Sequence, residues 1–337
     1  MSRGARRRQR QQPRTLQVFL IIVLVLLTVC VLVKAFFLKA PEQKAAELPA
    51  QPASSDTDSQ QSPEEQAAQE ALRSHLERKG GFYTILLSGL DDDNGGSDTN
   101  ILVAVDTVNG YVYGVSIPRD SKAIIDGKAR KINYAYNKGG TELLADTVSE
   151  QLGIPVDYTV SVNLKGFTAL VDAIGGVDFD VPINMDYDDP IQNLSIHFKK
   201  GVQHLSGADA LRVVRFRHNN DGSGYGSEDL GRMATQQKFL KAVAKKMLSA
   251  GNILTKIDDY AKIFNQYVDT NLTVGNLAWL GTEVLKMGVD KIDFSTLPNA
   301  WKYPYIYLDP TETLTLVNTY LNPYVEDRTA DDLNIPG

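Results

Sequence analysis

The sequence predicts an α/β domain with a central mixed β-sheet flanked by helices, preceded by one transmembrane helix. From Phe82 onward, short segments rich in β-branched and aromatic residues alternate with segments of helical periodicity that end at glycines. About 245 residues in such alternation favour one domain over two independent cores. A long apolar run near the N-terminus predicts the transmembrane helix.

Residues 16–38 are predicted to form this helix. The run is interrupted by only three polar residues, and its roughly 34 Å of helix exceeds a bilayer core of about 30 Å. A cleaved signal peptide would have a shorter apolar region that ends in a small-x-small site, and this run has neither feature. Six arginines in residues 1–15 predict a basic cytoplasmic tail. The chain is therefore expected to cross a cell membrane once and to place its domain outside the cell.

Three further segments follow the transmembrane helix. Residues 39–79 are predicted to form an extracytoplasmic linker, because residues 40–62 are rich in Pro, Gln, Ala, Ser and Asp. Ser62, followed by one proline and two glutamates, predicts the start of a helix over residues 63–78. Residues 80–325 are expected to form the folded domain, and residues 326–337 a C-terminal tail.

The predicted elements of the domain alternate in order along the chain. The strands are residues 82–88, 101–106, 111–117, 156–162 and 177–181. The helices are residues 141–152, 166–174 and about 229–250, and a glycine follows each of them. Because α/β folds usually place their chemistry at strand ends, the loops after these strands are the expected position of a site.

The charge of the chain is unevenly distributed. The whole chain has a net charge of −6, whereas residues 1–39 hold eight basic side chains and no acid, so the remainder carries −14. A nucleic-acid-binding domain would be expected to have a basic surface. Nucleic acid is therefore excluded as a partner, and arginines in the acidic remainder are expected to form a local pocket.

Several basic residues occupy positions suited to a diphosphate, since guanidinium groups match phosphate oxygens in pairs. Arg215 and Arg217 would lie on one face, roughly 7 Å apart, if their stretch is extended. Arg232 is expected near a helix N-terminus, with Gln236 one turn later on the same face. Arg119 follows a strand, and Arg130 stands beside Lys131. Each residue alone is more typical of a surface salt bridge, but together they predict a phosphorylated ligand.

Two carboxylates flank the loop between the first two predicted strands. Asp91 follows the first strand and Asp98 precedes the second. Together they could hold Mg²⁺, or Mn²⁺ in its place, because such ions prefer hard oxygen ligands and often complete their shell with substrate phosphate. The alternative interpretation is a solvated acidic loop, favoured for residues 91–93 when they are taken alone.

A set of motifs across residues 82–247 closely resembles the LytR-CpsA-Psr family, and the motifs occur in family order. They are Leu86-Leu87-Ser88-Gly89-Leu90-Asp91, Ser97-Asp98-Thr99, Ser116-Ile117-Pro118-Arg119-Asp120, Lys131-Ile132-Asn133 with Tyr136, Leu170-Val171-Asp172-Ala173-Ile174-Gly175-Gly176, Arg215-Phe216-Arg217-His218 and Asp229-Leu230-Gly231-Arg232. The resemblance implies that residues 80–325 form the family's catalytic domain, on the outer face of a cell membrane. The bacterium is expected to be Gram-positive.

The resemblance also implies a reaction and its partners. Such proteins move an anionic glycopolymer, such as wall teichoic acid or capsular polysaccharide, from a polyprenyl-pyrophosphate carrier to peptidoglycan. By motif matching, Asp91 and Asp98 would hold Mg²⁺. The diphosphate would be bound by Arg119, Lys131, Arg215, Arg217, Arg232 and Gln236. Asp98 or Asp120 could accept the proton of the attacking hydroxyl, and the sequence does not choose between them.

The sequence departs from the family at one position and leaves two rival functions open. Many family members carry an arginine directly before Ser-Asp-Thr, where this chain has Gly96, and Arg130 is a candidate substitute. One rival is a pyrophosphatase that releases the lipid-linked phosphate to water. The other is a non-catalytic regulator that binds the wall lipid. The aromatic stretch 301–305 could cover the sheet edge or stack on glycan.

An apolar channel for the polyprenyl chain is the last expectation. Apolar residues on two predicted helices could line it, although ordinary core packing explains the same residues without a ligand. These residues are Leu143, Leu144, Val148, Phe167, Leu170 and Val171.

Overall fold

The structure is a computed structural model that describes residues 39–44, 75–90, 96–191, 193–225 and 257–337, with isolated helical residues between 235 and 246. The predicted span 16–38 and residues 63–74 of the predicted linker helix lie outside the described residues. Within the described ranges, none of the helices combines the length and the apolar character needed to cross a bilayer. The described residues of the predicted helix 229–250 are helical.

Six strands form the central sheet. They are β1 (Phe82–Leu90), β2 (Ser97–Asp106), β3 (Tyr111–Ile117), β6 (Tyr158–Asn163), β11 (Val268–Thr270) and β12 (Ile292–Thr296). Their order across the sheet is β11-β6-β1-β2-β3-β12, with β1 parallel to β6 and β3 parallel to β12, and antiparallel pairs elsewhere. The mixed sheet predicted from sequence is therefore confirmed.

Four separate antiparallel strand pairs surround this sheet. Three are hairpins, which pair β4 (Lys122–Ile125) with β5 (Lys128–Lys131), β8 (Met185–Asp189) with β9 (Leu194–Phe198), and β13 (Asn299–Lys302) with β14 (Tyr305–Leu308). The fourth pairs β7 (Val177–Val181) with β10 (Gly201–Leu205), on either side of the β8–β9 hairpin in the chain. Of these strands, only β7 is predicted from the sequence pattern.

Helices pack on both faces of the sheet. They are α1 (Asn133–Leu152), α2 (Leu164–Ala173), α3 (Gly207–Arg215), α4 (Ile257–Tyr267), α5 (Val274–Met287) and α6 (Pro310–Leu316). The backbone of α1 leaves helical geometry at Gly139 and Gly140, where φ is +67° at Gly140, so a regular helix starts at Thr141 as predicted. It ends at Gly153, whose left-handed φ of 64° suits a residue without Cβ.

Alternation along β2 divides the core into two apolar clusters. Ile101 and Val103 face a cluster that contains residues of α2, α3 and α5, whereas Leu102 and Ala104 face one that contains α1 and residues 317–321. Each fully buried Leu or Val in these clusters contributes roughly 1.5–3 kcal/mol.

This division corrects one expectation about the lipid channel. Leu144 and Val148 pack on one face of the sheet, while Phe167, Leu170 and Val171 pack on the other. The six residues proposed for one channel therefore line no common space, because the two helices that carry them lie on opposite sides of β1.

Residues 39–44, called the docked segment, lie against the edge of the sheet where β1 and β6 begin. The Gln43 side chain donates to the carbonyl oxygens of Lys79 (2.7 Å) and Phe82 (2.8 Å). Tyr158 Oη donates to the Glu42 carbonyl oxygen at 2.6 Å. This end of the predicted linker is thus hydrogen-bonded to the domain.

A buried ion pair ties the docked segment to β1. Arg78 Nη2 lies 2.8 Å from Asp157 Oδ2, and the Asp157 side chain has no solvent exposure. The same carboxylate accepts hydrogen bonds from the backbone N–H of Thr84 (2.9 Å) and of Lys44 (3.0 Å). Arg78 Nη1 also donates to the Lys44 carbonyl oxygen at 2.9 Å. One carboxylate therefore joins three separate parts of the chain.

Candidate functional site

Arg119 and Asp98 form an ion pair at the edge of the sheet where β1 and β3 end. Asn100 of β2 pairs with Ile117 of β3, so two residues further out on each strand bring Asp98 beside Arg119. Arg119 Nη1 lies 2.6 Å from Asp98 Oδ1, and both side chains are nearly half exposed. The antiparallel register is therefore what joins these two predicted site residues.

A β-bulge sets the direction of the Asp98 side chain. Gly89 of β1 pairs with Thr99 of β2, but Leu90 pairs with Ser97, which leaves Asp98 as the extra residue on β2. Such bulges twist a strand locally and re-aim the side chain of the extra residue. The sequence alone does not predict this bulge, because the bulge depends on the register between two strands.

The hairpin of β4 and β5 brings two further charges to the same place. Lys131 is the cross-strand partner of Lys122, and the Ile132 N–H donates to the Ser121 carbonyl oxygen at 2.8 Å, closing the hairpin beside Asp120. Lys131 Nζ then lies 3.1 Å from Asp120 Oδ1, which is also 3.9 Å from Arg119 Nε.

The four residues Asp98, Arg119, Asp120 and Lys131, called the charged row, alternate in sign. Their side chains are between 21% and 46% exposed, so solvent and ligands reach all four. An ion pair with this exposure contributes only about 0.2–1 kcal/mol to the free energy of unfolding. A diphosphate, which offers several oxygens to one guanidinium, can therefore replace Asp98 at Arg119 at little cost.

Two carboxylates of the charged row could act as metal ligands. Asp98 and Asp120 offer the hard carboxylate oxygens that Mg²⁺ uses, and this ion commonly takes only one or two carboxylates with waters and phosphate. Asp91, the second predicted ligand, lies outside the described residues. Among the residues that are described, no group of three or more His, Cys, Asp or Glu side chains is placed to hold a metal. The carboxylates of Asp98 and Asp120 therefore fit an Mg²⁺ ion that would complete its shell with waters and substrate phosphate.

Gly96 occupies a position that the family arginine could not take without strain. Its φ is +109°, and a Cβ built there would lie 3.1 Å from Asn137 Oδ1. Arg130, the candidate substitute, has its guanidinium 5.1 Å from the centre of the Tyr134 ring. The structure does not place Arg130 in the charged row.

Arg215 and Arg217 were expected on one face if their stretch is extended. This condition is not met, because Arg215 is helical. It is the last residue of α3, and Phe216 directly after it has extended backbone (φ −61°, ψ 133°). Phe216 is fully buried and packs edge-on against Tyr225, while Arg217 is exposed. The two arginines therefore do not project from one strand face.

Arg215 lines a cavity of about 440 Å³ with Leu164, Lys165 and Tyr267. Helix α3 runs antiparallel to α2, because the Gly207 N–H at its start donates to Asp172 Oδ1 near the end of α2. Its last residue therefore lies toward the start of α2, directly after β6. Strand β1 separates β6 from β2, so this cavity and Asp98 lie at the same sheet edge, two strand spacings or roughly 10 Å apart along it.

Asp91, Arg232 and Gln236 lie outside the described residues. Sequence reasoning also missed Lys122, although a signal was present: residues 119–138 hold six basic and two acidic side chains in a chain of net charge −6.

Comparison with known proteins identifies close relatives of this fold. The model of the LytR_cpsA_psr family matches residues 48–321. Polyisoprenyl-teichoic acid–peptidoglycan teichoic acid transferase TagV from Bacillus subtilis (strain 168) is 37% identical over 202 residues, which are 57% of this chain and 50% of TagV. The TagU enzyme of the same description from Bacillus cereus (strain ATCC 14579) is 36% identical over 195 residues, 56% of this chain and 60% of TagU. The matched stretch thus spans about half the length of these relatives.

A solved structure agrees with this match. The crystal structure of Bacillus subtilis TagV superposes with a TM-score of 0.58 at 32% identity, covering 72% of this chain and 96% of that chain. The mixed sheet with helices on both faces is therefore shared with a solved member of the family.

Proposed function

Because the chain belongs to the LytR-CpsA-Psr family, we propose that it is a phosphotransferase that moves an anionic glycopolymer from a polyprenyl-pyrophosphate carrier onto peptidoglycan. The names of its relatives support this substrate class, as teichoic acid transferases. The observation that carries the proposal is the charged row, in which Arg119 and Lys131 alternate with Asp98 and Asp120 at an accessible sheet edge.

Each residue of the row has a task in this reaction. Arg119 and Lys131 bind the non-bridging oxygens of the diphosphate and stabilise the charge that develops on them. A peptidoglycan hydroxyl oxygen forms a bond to the sugar-linked phosphorus, and the bond from that phosphorus to the bridging oxygen of polyprenyl phosphate breaks. The hydroxyl proton passes to the carboxylate of Asp98 or Asp120, and polyprenyl phosphate leaves.

The ion pairs within the charged row balance its positive charges when no substrate is bound. Asp98 neutralises Arg119 and Asp120 neutralises Lys131, so neither cation is left unbalanced. When the diphosphate binds Arg119, the Asp98 carboxylate loses its ion-pair partner. It is then available to accept the proton of the attacking hydroxyl or to act as a ligand of Mg²⁺. Asp98 with Asp91 would hold Mg²⁺, which would supply positive charge to stabilise the transition state of phosphoryl transfer.

The proposal extends to the setting of the reaction. Residues 16–38 cross the cell membrane, the N-terminus lies in the cytoplasm, and residues 80–325 meet the lipid carrier and the wall outside. The apolar run and the arginine block in the sequence support this orientation.

Transfer of a labelled lipid-linked glycopolymer to peptidoglycan oligomers tests the proposal. The full chain in lipid nanodiscs is expected to need Mg²⁺, and Arg119→Ala is expected to lower the transfer rate about 10²–10³-fold, as the loss of one transition-state donor does. Asp98→Asn keeps the shape of the side chain but removes its charge, and should lose a similar factor. Asp178→Asn is the matched control, because Asp178 is exposed and pairs with His204 across the remote β7–β10 strand pair.

The products decide between the proposal and its rivals. Glycopolymer phosphate attached to peptidoglycan supports the transferase, whereas free phosphorylated glycopolymer with no acceptor adduct indicates a pyrophosphatase. Tight binding of the lipid with no turnover indicates a regulator. Full activity of Arg119→Ala would contradict the assigned role of the charged row.

A further inference from the structure

A second basic surface adjoins the charged row on the β4–β5 and β13–β14 hairpins. The Ile306 N–H of β14 donates to the Asp120 carbonyl oxygen at 2.9 Å, and Ile306 forms a parallel bridge with Ser121 directly before β4. The two hairpins are thereby joined at the residue that carries one carboxylate of the row. A ligand that extends from the row in this direction meets β4 and then β14.

Lysine and tyrosine side chains share one face of these two hairpins. Lys122 and Lys131 are cross-strand partners, as are Lys302 and Tyr305, so the members of each pair point to the same side. Tyr307 joins the two pairs, because its ring centre lies 5.0 Å from Lys122 Nζ and 5.7 Å from Lys302 Nζ. We call these five residues the basic hairpin face.

The tyrosines of this face contact each other, and one of them is hydrogen-bonded to the neighbouring hairpin. Tyr305 Oη donates to the Ala129 carbonyl oxygen of β5 at 3.2 Å, and its ring lies edge-on to Tyr307 at 6.4 Å. Lys302 is exposed, and Lys122 also donates to the Gly337 carbonyl oxygen. The face therefore presents the ammonium groups of Lys122 and Lys302 beside two partly exposed tyrosine rings.

We propose that the basic hairpin face binds the phosphodiester-linked repeats of the glycopolymer that the charged row transfers, an inference that rests on the proposed function. Lysine ammonium groups fit phosphates repeated along a chain, and tyrosine rings fit the C–H faces of the polyol or sugar units between them. Charge complementarity favours this occupant over uncharged glycan, because residues 119–138 are basic within an acidic chain.

Binding of a short, end-labelled oligo(glycerol phosphate) to the full chain in nanodiscs tests this inference. Lys302→Glu is expected to raise Kd about fivefold or more at low salt. The substitution removes an attraction between the ammonium group and a phosphate and adds a repulsion, so its effect should exceed the loss of one surface ion pair. The effect should shrink as salt is raised, because the Debye length falls to about 8 Å at 0.15 M. Lys286→Glu on α5 is the matched control, being an exposed lysine with the same change of charge.

Two outcomes would overturn the inference. One is an equal loss of affinity in Lys302→Glu and Lys286→Glu, and the other is equally tight binding of a neutral β-linked N-acetylglucosamine oligomer, which would indicate a platform for the acceptor. The probe has neither lipid nor diphosphate, so its binding is measured apart from turnover. Intact binding with no transfer in the wild-type chain would remove the proposed function alone, whereas full transfer with no probe binding would remove the basic hairpin face alone.

Discussion

Replacing Asp157 by alanine is expected to destabilise the domain strongly. The carboxylate has no solvent exposure, and its partner Arg78 is only 10% exposed. Removing one member of a buried ion pair costs about 3–5 kcal/mol, because the other charge is left buried and unpaired. The Thr84 N–H loses its acceptor as well, which adds about 1–3 kcal/mol.

The expected loss of at least about 4 kcal/mol corresponds to a fall in Tm of roughly 10 °C or more for a domain of this size. Thermal unfolding of the full chain in nanodiscs, followed by circular dichroism, measures this shift. Asp178→Ala is the control, since an exposed carboxylate should change stability by less than about 0.5 kcal/mol. A Tm that falls equally little in both variants would refute the view that Asp157 is the joint between β1, β6 and the docked segment.

Three further predictions address other parts of the chain. Gly96→Arg, which restores the family residue, should lower stability by about 1–3 kcal/mol in thermal unfolding without raising the transfer rate, because φ is +109° there; a stable and faster variant would contradict this. Arg215→Ala should raise the KM for the lipid-linked donor about tenfold, whereas Arg212→Ala, an exposed residue paired with Asp209, should not; equal effects would remove Arg215 from the site. A hydrogen bond to Asp186 raises the pKa of His197, so the stabilisation of the β8–β9 hairpin should be complete below about pH 6.5 and be lost as pH rises through the raised pKa. Hydrogen exchange of that hairpin should lose this pH dependence in His197→Gln, and its persistence would assign it to another group.

Local sequence patterns predicted the elements whose own residues determine them. The strand at Phe82 has continuous β-branched and aromatic character, and the helix after Gly140 has a glycine at each end. By contrast, β5 has the sequence Lys-Ala-Arg-Lys, which contains no strand pattern, and it is a strand because β4 pairs with it. Elements that depend on a partner strand could not be predicted from their own residues.

The site divides in the same way. Arg119, Asp98, Asp120 and Lys131 were predicted from residue type and motif, and the structure brings them together. The bulge at Asp98 was not predictable, because it is a property of the register between two strands. The helical state of Arg215 also escaped prediction, since the two-residue spacing to Arg217 is compatible with a strand until α3 is seen to extend to it.

The docked segment brings together two points of the chain that are 34 positions apart. The Lys44 carbonyl oxygen accepts a hydrogen bond of 2.9 Å from Arg78. The nine residues of β1 separate this contact from the charged row by roughly 30 Å. Under the proposed membrane orientation, this is the distance over which a lipid headgroup would have to be presented to the row. It is fixed by the length of β1 and does not depend on how many residues separate position 44 from position 75.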